Sequence, residues 1–372
     1  METKKILLIS TGGTIAGNVA KVESSQHKNA NHFEKSIKHT KDNIKKKWAI
    51  DLNITATDLI IDKETVDVDS SDIIPEHWNA IIQKIEEEYD NYHAFIITHG
   101  TNTLGYTSAA LSFAFANINK PVILTGSQVP LGFAGSDAIM NLDNSLRVAA
   151  WPYHKIKGVI VVFGSSIITG TRVKKSTEFD YDAFKSFTSN SLGEIGRIIQ
   201  IDEEELKKHN DYYTPLNMDS ALTSEDLVIN KNFDMNILSL TEFPGMPIDF
   251  FKTMVEEHNI RGFILRSFGA GDPSKRLLKI FEYLKTNYIP LIITTQAPNG
   301  NANFQVNTSG QKLKEDDLAI PAYNMSVEST TTKLAWLLAK YPENNETSYK
   351  SIKEKMLTDI KGEIKVMTER KQ

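Results

Sequence analysis

Short aliphatic runs separated by helical patterns organise most of this chain. The runs are continuous rather than alternating, which is typical of strands buried on both faces of a sheet. They cover residues 6–9, 95–97, 122–124, 159–163, 263–265 and 291–293. Helical spacing of apolar residues lies between them, over residues 77–89, 103–118 and 273–284. This alternation predicts an α/β fold with mainly parallel sheets.

A polar stretch over about residues 211–232 interrupts the alternation, which then restarts. We therefore expect a larger N-terminal domain over residues 1–215 and a linker over 216–234. A smaller C-terminal α/β domain over 235–372 follows.

Residues 17–50 differ from the rest of the chain because they are rich in Lys, Asn, His and Ser. Their large apolar residues, Phe33, Ile37, Ile44 and Trp48, fit one narrow helical stripe. We interpret 17–50 as a lysine-rich insertion, either a segment that lies in water or a lid over the site that begins at Gly12.

Composition excludes several classes of function. The 372 residues are 40% hydrophobic and 24% charged, and the net charge of −5 gives no reason to expect a nucleic-acid partner. The absence of cysteine excludes disulfides and thiolate metal sites. No signal-peptide pattern is present, and no apolar stretch reaches the roughly 18 residues of a membrane span. We expect a soluble, cytoplasmic protein that does not contact membranes.

Small polar residues follow four of the predicted strands, over residues 11–14, 98–103, 125–128 and 164–166. Ligands of open α/β sheets bind outside the carboxyl ends of the strands. The glycines among these residues leave backbone N–H groups free to face a ligand. The four segments therefore predict one pocket.

Common motifs of such pockets are absent from the sequence. There is no G-x-G-x-x-G, P-loop, G-x-S-x-G or H-E-x-x-H pattern. We interpret His99 as a structural hydrogen-bonding residue rather than a catalyst or metal ligand. The threonines of these segments are then the candidate reactive groups, because threonine can act as a nucleophile when a base activates it. Lys174 and Lys175 are candidates for that base if one is desolvated; the alternative is a pair of solvated surface lysines.

A series of motifs occurs in one order along the chain. They are TGGTIAG (11–17), DSSDIIPEHW (69–78), THGTNT with YTSAALSF (98–113), PVILTGSQVP (121–130), SDAIMNL (136–142), GTRVKKSTEFDYDAF (170–184), and PLIITTQAPNG with TTKLAWLL towards the C-terminus. With them the chain resembles the bacterial and archaeal L-asparaginases, amidohydrolases with a threonine nucleophile, and in particular the cytoplasmic type. The resemblance covers nearly the whole chain apart from residues 17–68.

The resemblance implies a two-domain fold and hydrolysis of a side-chain amide to the acid and ammonia, without a cofactor or metal. Thr14 would form the acyl-enzyme, and Thr101 with Lys175 would handle the proton and position water. Asp137 would be structural support, and the chains would assemble as homodimers or homotetramers. The implied substrate-binding residues are Ser70, Ser71, Gly100, Asn102 and Ser127.

Three departures from the family pattern concern the substrate. Asn102 stands where the family has an aspartate that binds the α-ammonium group. Residues 296–314 contain no acidic residue, although the family places one in this loop. No tyrosine occurs between Thr14 and Glu64, where the family has one that helps to activate the nucleophile.

These departures leave several alternatives open. The substrate is free L-asparagine or an amide whose α-nitrogen is uncharged, such as an N-acylated or peptide-linked asparagine. A non-catalytic binding protein is an alternative from another class. The asparaginase-like subunit of the tRNA-dependent amidotransferase is disfavoured, because that subunit carries an extra N-terminal domain whereas TGGT begins here at Thr11.

Overall fold

The chain forms two compact units in the computed structural model, which describes residues 1–12, 28–61, 64–65, 68–214, 226–304 and 308–365. One unit consists of Met1–Ser186 and Asn190–Lys231, and the other of Phe187–Ser189 and Asn232–Gln372. The division after residue 231 falls within the linker predicted over 216–234.

The first unit contains the larger sheet and the helices that cover it. Its elements are β1 (Glu2–Ser10), α1 (Lys28–Trp48), β2 (Ile50–Asp58), β3 (Ile60–Ile61), β4 (Glu64–Thr65), α2 (Pro75–Glu87), β5 (Ala94–Thr98), α3 (Leu104–Ala114), β6 (Pro121–Thr125), α4 (Ala138–Ala149), β7 (Gly158–Phe163), β8 (Ser166–Thr169), β9 (Val173–Lys175), β10 (Phe184–Ser186), β11 (Gly193–Ile195), β12 (Ile199–Ile201) and α5 (Glu203–Asp211). Short 3₁₀ turns at Ser70–Asp72 and Gly170–Arg172 precede α2 and β9.

The eight-stranded sheet has the order β12-β11-β8-β7-β6-β5-β1-β2. The five strands from β2 to β7 run parallel, whereas β8, β11 and β12 add an antiparallel edge. In β5 every residue is buried, as expected for a strand covered on both faces. The predicted α/β fold with a mainly parallel sheet is confirmed.

Helix α2 shows how local pattern specifies an element here. Pro75 occupies the first turn, where its missing N–H removes no helical hydrogen bond. The apolar stripe predicted from the sequence is the buried face, formed by Trp78, Ile81, Ile82 and Ile85.

Helix α1 is the crossover between the parallel strands β1 and β2. It packs against α4 and β2, with Ile44 buried in the core and Ile37 and Trp48 partly buried against it. Residues 28–48 therefore cover one face of the sheet, and the helical stripe predicted through Ile37, Ile44 and Trp48 is the side that packs on it. Burial of the apolar side chains on one stripe is enough to pack this helix on the core, although most of its other residues are polar or charged. Residues 17–27 and the side chain of Phe33 lie outside what the structure describes.

The second unit is a smaller α/β domain. Its elements are β13 (Ile237–Thr241), α6 (Phe250–His258), β14 (Gly262–Ser267), α7 (Leu278–Thr286), β15 (Leu291–Thr295), α8 (Thr308–Glu315), β16 (Ile320–Pro321), α9 (Val327–Lys340) and α10 (Glu346–Leu357). The four strands pair in parallel in chain order. In the described part of the chain, no helix combines the length and apolar character needed to cross a membrane.

A buried ion pair ties the chain after α10 to α9 in this unit. Lys333 Nζ lies 2.5 Å from Glu363 Oε1, and both side chains are fully buried. Lys333 also donates to the carbonyl of Thr358, while Glu363 accepts from the backbone N–H groups of Ile360 and Lys361. The pair therefore satisfies the hydrogen-bonding groups that its burial removes from water.

Replacement of Ile44 by alanine tests whether α1 belongs to the cooperative core. Because Ile44 is 3% exposed, Ile44→Ala should lower the free energy of unfolding by about 2–5 kcal/mol in urea denaturation. Ile60→Ala is the matched control, since Ile60 is 61% exposed. Equal effects of the two substitutions would show that α1 contributes nothing to the core.

Candidate functional site

The carboxyl ends of three central strands meet at one edge of the larger sheet. Ser10 at the end of β1 pairs with Thr98 of β5, which pairs with Thr125 of β6. Thr11 follows β1, and its hydroxyl donates to the Thr98 carbonyl oxygen at 3.0 Å. The sheet thus brings the polar segments after these three strands to one place.

Two side chains at the start of α4 hold the neighbouring loops. Asn141 donates to the Gly126 carbonyl and accepts from the Gly164 N–H, both at 2.9 Å. Asp137 accepts from the backbone N–H groups of Gln128 and Val129 at 3.1 and 3.0 Å. These contacts link the loop after β6 to the turn after β7.

Thr101 and Lys175 are in direct contact. The Lys175 ammonium donates to Thr101 Oγ1 at 2.8 Å, although 74 positions separate the two residues. Lys175 ends β9, which pairs with β10 in a short antiparallel hairpin that presents it towards the loop after β5. Its side chain is only 15% exposed.

Glu178 is an unforeseen partner of this pair. Its carboxylate lies 2.8 Å from Lys175 Nζ, and its side chain is 80% exposed. The i,i+3 spacing from Lys175 was visible in the sequence, but whether the carboxylate folds back depends on the turn between β9 and β10. Glu178 adds a negative charge beside the lysine at the margin of the site.

Ser70 anchors the loop that carries Thr101. Its hydroxyl accepts from the Asn102 N–H at 3.2 Å, and its carbonyl accepts from the Thr103 hydroxyl. A Cβ atom on Gly100 would lie 2.6 Å from Ser70 Oγ, so the close approach of these two segments requires glycine there. Ser70 is buried, whereas Ser71 is exposed.

Asn102 lies between a cation and an anion. Its Oδ1 is 3.4 Å from Lys175 Nζ, and its side chain helps to lower the pKa of the Asp69 carboxyl. The Ser71 hydroxyl and N–H donate to Asp69, and these bonds, with a smaller contribution from Asn102, lower the pKa of Asp69. Asp69 is a second residue that was not singled out from the sequence, although Asp-x-Ser is a common capping pattern.

Two predicted site residues, Ser127 and Thr14, are not connected to the Thr101–Lys175 pair by any hydrogen bond among the described residues. Ser127 is buried, but no hydrogen bond connects it to Thr101 or Lys175 in the described part of the chain. Its hydroxyl and those of Thr98 and Thr125 are buried without a partner among the described residues. Thr14, the predicted nucleophile, lies outside those residues. Within the same ranges, no group of three or more His, Asp or Glu residues could hold a metal ion.

His99 is a buried structural residue. Its Nδ1 lies 2.7 Å from the Gly100 carbonyl and its Nε2 lies 2.9 Å from Thr107 Oγ1. A carbonyl only accepts, so Nδ1 carries the hydrogen in the neutral ring and Nε2 accepts from Thr107. Burial lowers the pKa of His99 to about 4, against the opposing effect of the Gly100 carbonyl. The neutral imidazole thus supports the Gly100 backbone.

Both units match described protein families. Residues 5–207 match the family Asparaginase, N-terminal, and residues 236–349 match the Glutaminase/Asparaginase C-terminal domain. Over 310 residues the chain is 33% identical to L-asparaginase 1 of Escherichia coli strain K12, covering 82% of this chain and 85% of the relative. It is 29% identical over 373 residues to a subunit of the glutamyl-tRNA(Gln) amidotransferase of Methanococcus maripaludis strain C7, covering 98% and 81%.

Solved structures of L-asparaginases are similar to this chain over nearly its whole length. The thermostable L-asparaginase from Thermococcus kodakarensis superposes with a TM-score of 0.76 at 26% identity, covering 98% of this chain and 100% of the other. L-asparaginase I from Vibrio cholerae gives a TM-score of 0.75 at 29% identity with the same coverage. The predicted two-domain fold is confirmed.

The lowered pKa of His99 predicts a pH dependence of stability. The unfolded chain, with a histidine pKa near 6.5, binds more protons than the folded chain between about pH 6.5 and 4. The contribution of His99 to the free energy of unfolding is therefore fully present above pH 6.5. It should fall by up to about 3 kcal/mol as the pH falls towards 4. When urea denaturation is measured across this range, the free energy of unfolding of His99→Gln should depend less steeply on pH. The exposed His39→Gln should keep the original slope; a common slope for all three proteins would contradict the assignment.

Proposed function

The chain belongs to the asparaginase family, and on that premise we propose that it hydrolyses the side-chain amide of L-asparagine or a related amide through a threonine acyl-enzyme. Membership makes it a hydrolase that acts on amides. Thr14 is proposed as the nucleophile, and Thr101 with Lys175 as the group that handles the proton. The products are the carboxylic acid and ammonia.

The contact between Lys175 Nζ and Thr101 Oγ1 at 2.8 Å is the observation that supports this proposal most directly. A hydroxyl that accepts from an ammonium group keeps its own hydrogen for a second partner. If Lys175 loses its proton, the same contact lets the amine accept the proton of Thr101. The pair can therefore take up and return a proton without a large movement.

The proposed reaction has two steps. In the first, Thr14 Oγ bonds to the amide carbonyl carbon, the C–N bond breaks, and the proton of the hydroxyl leaves with the nitrogen as ammonia. In the second, water adds to the resulting ester, the C–O bond to Thr14 breaks, and the acid is released as the threonine regains its proton. Each addition places negative charge on the carbonyl oxygen, which backbone N–H groups of the glycine-rich turns would stabilise.

Substrate binding is proposed for Ser70, Ser71, Gly100, Asn102 and Ser127. Ser70 Oγ accepts from the Asn102 N–H, so its own hydrogen can be donated to a substrate carboxylate. The Ser71 hydroxyl donates to Asp69 and would have to rotate to bind an anion. The Ser70 hydroxyl can therefore bind a substrate carboxylate without the rotation that Ser71 would need.

An amide with an uncharged α-nitrogen is the second candidate substrate, and the position of Asn102 favours it. Asn102 Oδ1 lies 3.4 Å from Lys175 Nζ, and its amide brings no negative charge to this site. A neutral amide oxygen lacks the Coulomb attraction that a carboxylate exerts on an ammonium group. An N-acylated or peptide-linked asparagine avoids this loss, because its α-nitrogen carries no charge.

A binding protein without catalysis is the alternative from another class. The Glu178 carboxylate lies 2.8 Å from Lys175 Nζ, so the group proposed to handle the proton is engaged in an ion pair. The similarity to an amidotransferase component adds L-glutamine to the candidate substrates.

Assembly as a homodimer or homotetramer and a cytoplasmic location are likewise proposed, on the strength of the family resemblance.

Replacement of the proton-handling pair gives the first functional prediction. Lys175→Met and Thr101→Val should each lower the rate of ammonia release by about 10²–10⁴-fold, the usual contribution of a positioned acid or base. The double variant should be little worse than either single variant, because the two groups act as a unit. Thr14→Val should abolish acylation, measured as an ammonia burst.

Lys174→Met is the matched control, since it removes the neighbouring lysine while leaving the contact between Lys175 and Thr101. Its activity should stay close to that of the unchanged protein. Full activity in Lys175→Met would exclude the proposed role of this pair. If no amide is hydrolysed but a ligand raises the melting temperature, the binding-protein alternative is correct.

Asn102→Asp tests the substrate. We expect the ratio of kcat/KM for L-asparagine to that for N-acetyl-L-asparagine to rise at least about tenfold, because a carboxylate attracts the free α-ammonium group. L-Glutamine serves as the comparison for side-chain length. Asn259→Asp, an exposed position in the second unit, adds the same charge elsewhere. An unchanged ratio in Asn102→Asp would show that residue 102 does not select the α-nitrogen.

A further inference from the structure

A cavity lies at the edge of the larger sheet opposite the candidate site, where the parallel strands begin. Lys4 lies in the first half of β1, His93 precedes β5, Pro121 begins β6 and Ile156 precedes β7. All four line a cavity of about 260 Å³ within the first unit. Parallel strands place their amino and carboxyl ends at opposite edges, so this cavity is separate from Thr101 and Lys175.

The lining of the cavity is strongly basic. Lys4, Lys120 and Lys155 line it together with His93 and His154, and no carboxylate is among the lining residues. In the part of the chain that the structure describes, none of the three ammonium groups lies within 4 Å of a carboxylate oxygen. Solvated lysines are common at protein surfaces, but these three surround one concave space.

Two of the ammonium groups are held in place by the backbone. Lys4 Nζ donates to the carbonyls of Ala150 and Trp151 at 3.3 and 3.4 Å, beyond the end of α4. Lys120 Nζ donates to the Tyr89 carbonyl and lies 4.2 Å from the centre of the Tyr89 ring. An ammonium group has three hydrogens, so each of the two keeps a donor for another partner.

Burial lowers the pKa of both lysines. For Lys4 the nearby Glu2 opposes this effect. For Lys120 the nearby Asp90 opposes it, while the positive charge of Lys155 lowers the pKa further. Capping of α4 is a sufficient structural reason for Lys4, but it does not explain why Lys120 and Lys155 line the same cavity. A bound anion would offset their positive charges.

The other walls of the cavity are apolar. They are formed by the side chains of Pro121, Val148, Ala149, Trp151 and Ile156. Ligand pockets of about 300–1,000 Å³ are typically apolar with a few polar groups that fix orientation. A cavity of about 260 Å³ suits a compact ligand.

We propose that this cavity binds a small organic anion that combines an apolar body with one carboxylate, with Lys120 and Lys155 holding the carboxylate. The apolar body packs against Pro121, Val148 and Ile156. Neither the amide chemistry nor the residues of the candidate site enter this assignment.

Benzoate is the probe, and isothermal titration calorimetry with the full chain at low ionic strength is the measurement. Lys155→Gln and Lys120→Gln should each weaken benzoate binding at least tenfold. Lys155 is exposed, so Lys155→Gln should fold normally even if Lys120→Gln is destabilised. Lys350→Gln, an exposed lysine in the second unit, controls for the change in net charge and should leave the affinity unchanged.

Two further comparisons separate the proposal from its alternatives. Benzyl alcohol, which keeps the ring but lacks the charge, should bind at least tenfold more weakly than benzoate, and inorganic phosphate should also bind more weakly. Thr101→Val should bind benzoate as the unchanged protein does. The proposal is wrong if benzoate does not bind, if Lys155→Gln binds it equally well, if phosphate or benzyl alcohol matches it, or if Thr101→Val abolishes binding.

Discussion

The register of the parallel strands is the constraint on which the candidate site depends. Ser10, Thr98 and Thr125 are paired side by side, so the segments that follow β1, β5 and β6 leave the sheet at the same level. Because side chains alternate between faces, a shift of one residue would turn each of these polar positions over. The buried aliphatic residues that precede them make such a shift costly, and the core thereby fixes the position of the polar loops.

Charge balance around Lys175 connects the site to its substrate. The lysine lies among a hydroxyl, an amide and a carboxylate, from Thr101, Asn102 and Glu178. Glu178 is mostly exposed, so water screens its charge, and it contacts the same Lys175 Nζ atom as Thr101 does. With a neutral residue at position 102, Glu178 beside Lys175 and Asp69 beside Ser71 are acids that remain in this region. The identity of the substrate therefore depends on few charges.

The two edges of the larger sheet differ in electrostatic character. The carboxyl edge carries hydroxyls, glycines and one shielded lysine, and the amino edge carries three lysines around an apolar cavity. One α/β sheet can support both, because the strands between them are buried and their backbone groups are paired. Loops at either edge can change without disturbing this core.

The sequence by itself determined the six buried strands β1, β5, β6, β7, β14 and β15, helix α2, the fold class and, through the family motifs, the residues proposed to act. Burial leaves a periodic pattern in neighbouring residues, which is why the stripe from Trp78 to Ile85 could be read directly. In helix α1 the predicted stripe through Ile37, Ile44 and Trp48 packs on the core despite the many charges around it. Only the tertiary structure decided that Glu178 and Asp69 join the site and that three lysines share one cavity. Such contacts depend on where distant segments meet and how their side chains turn, and no local pattern encodes either.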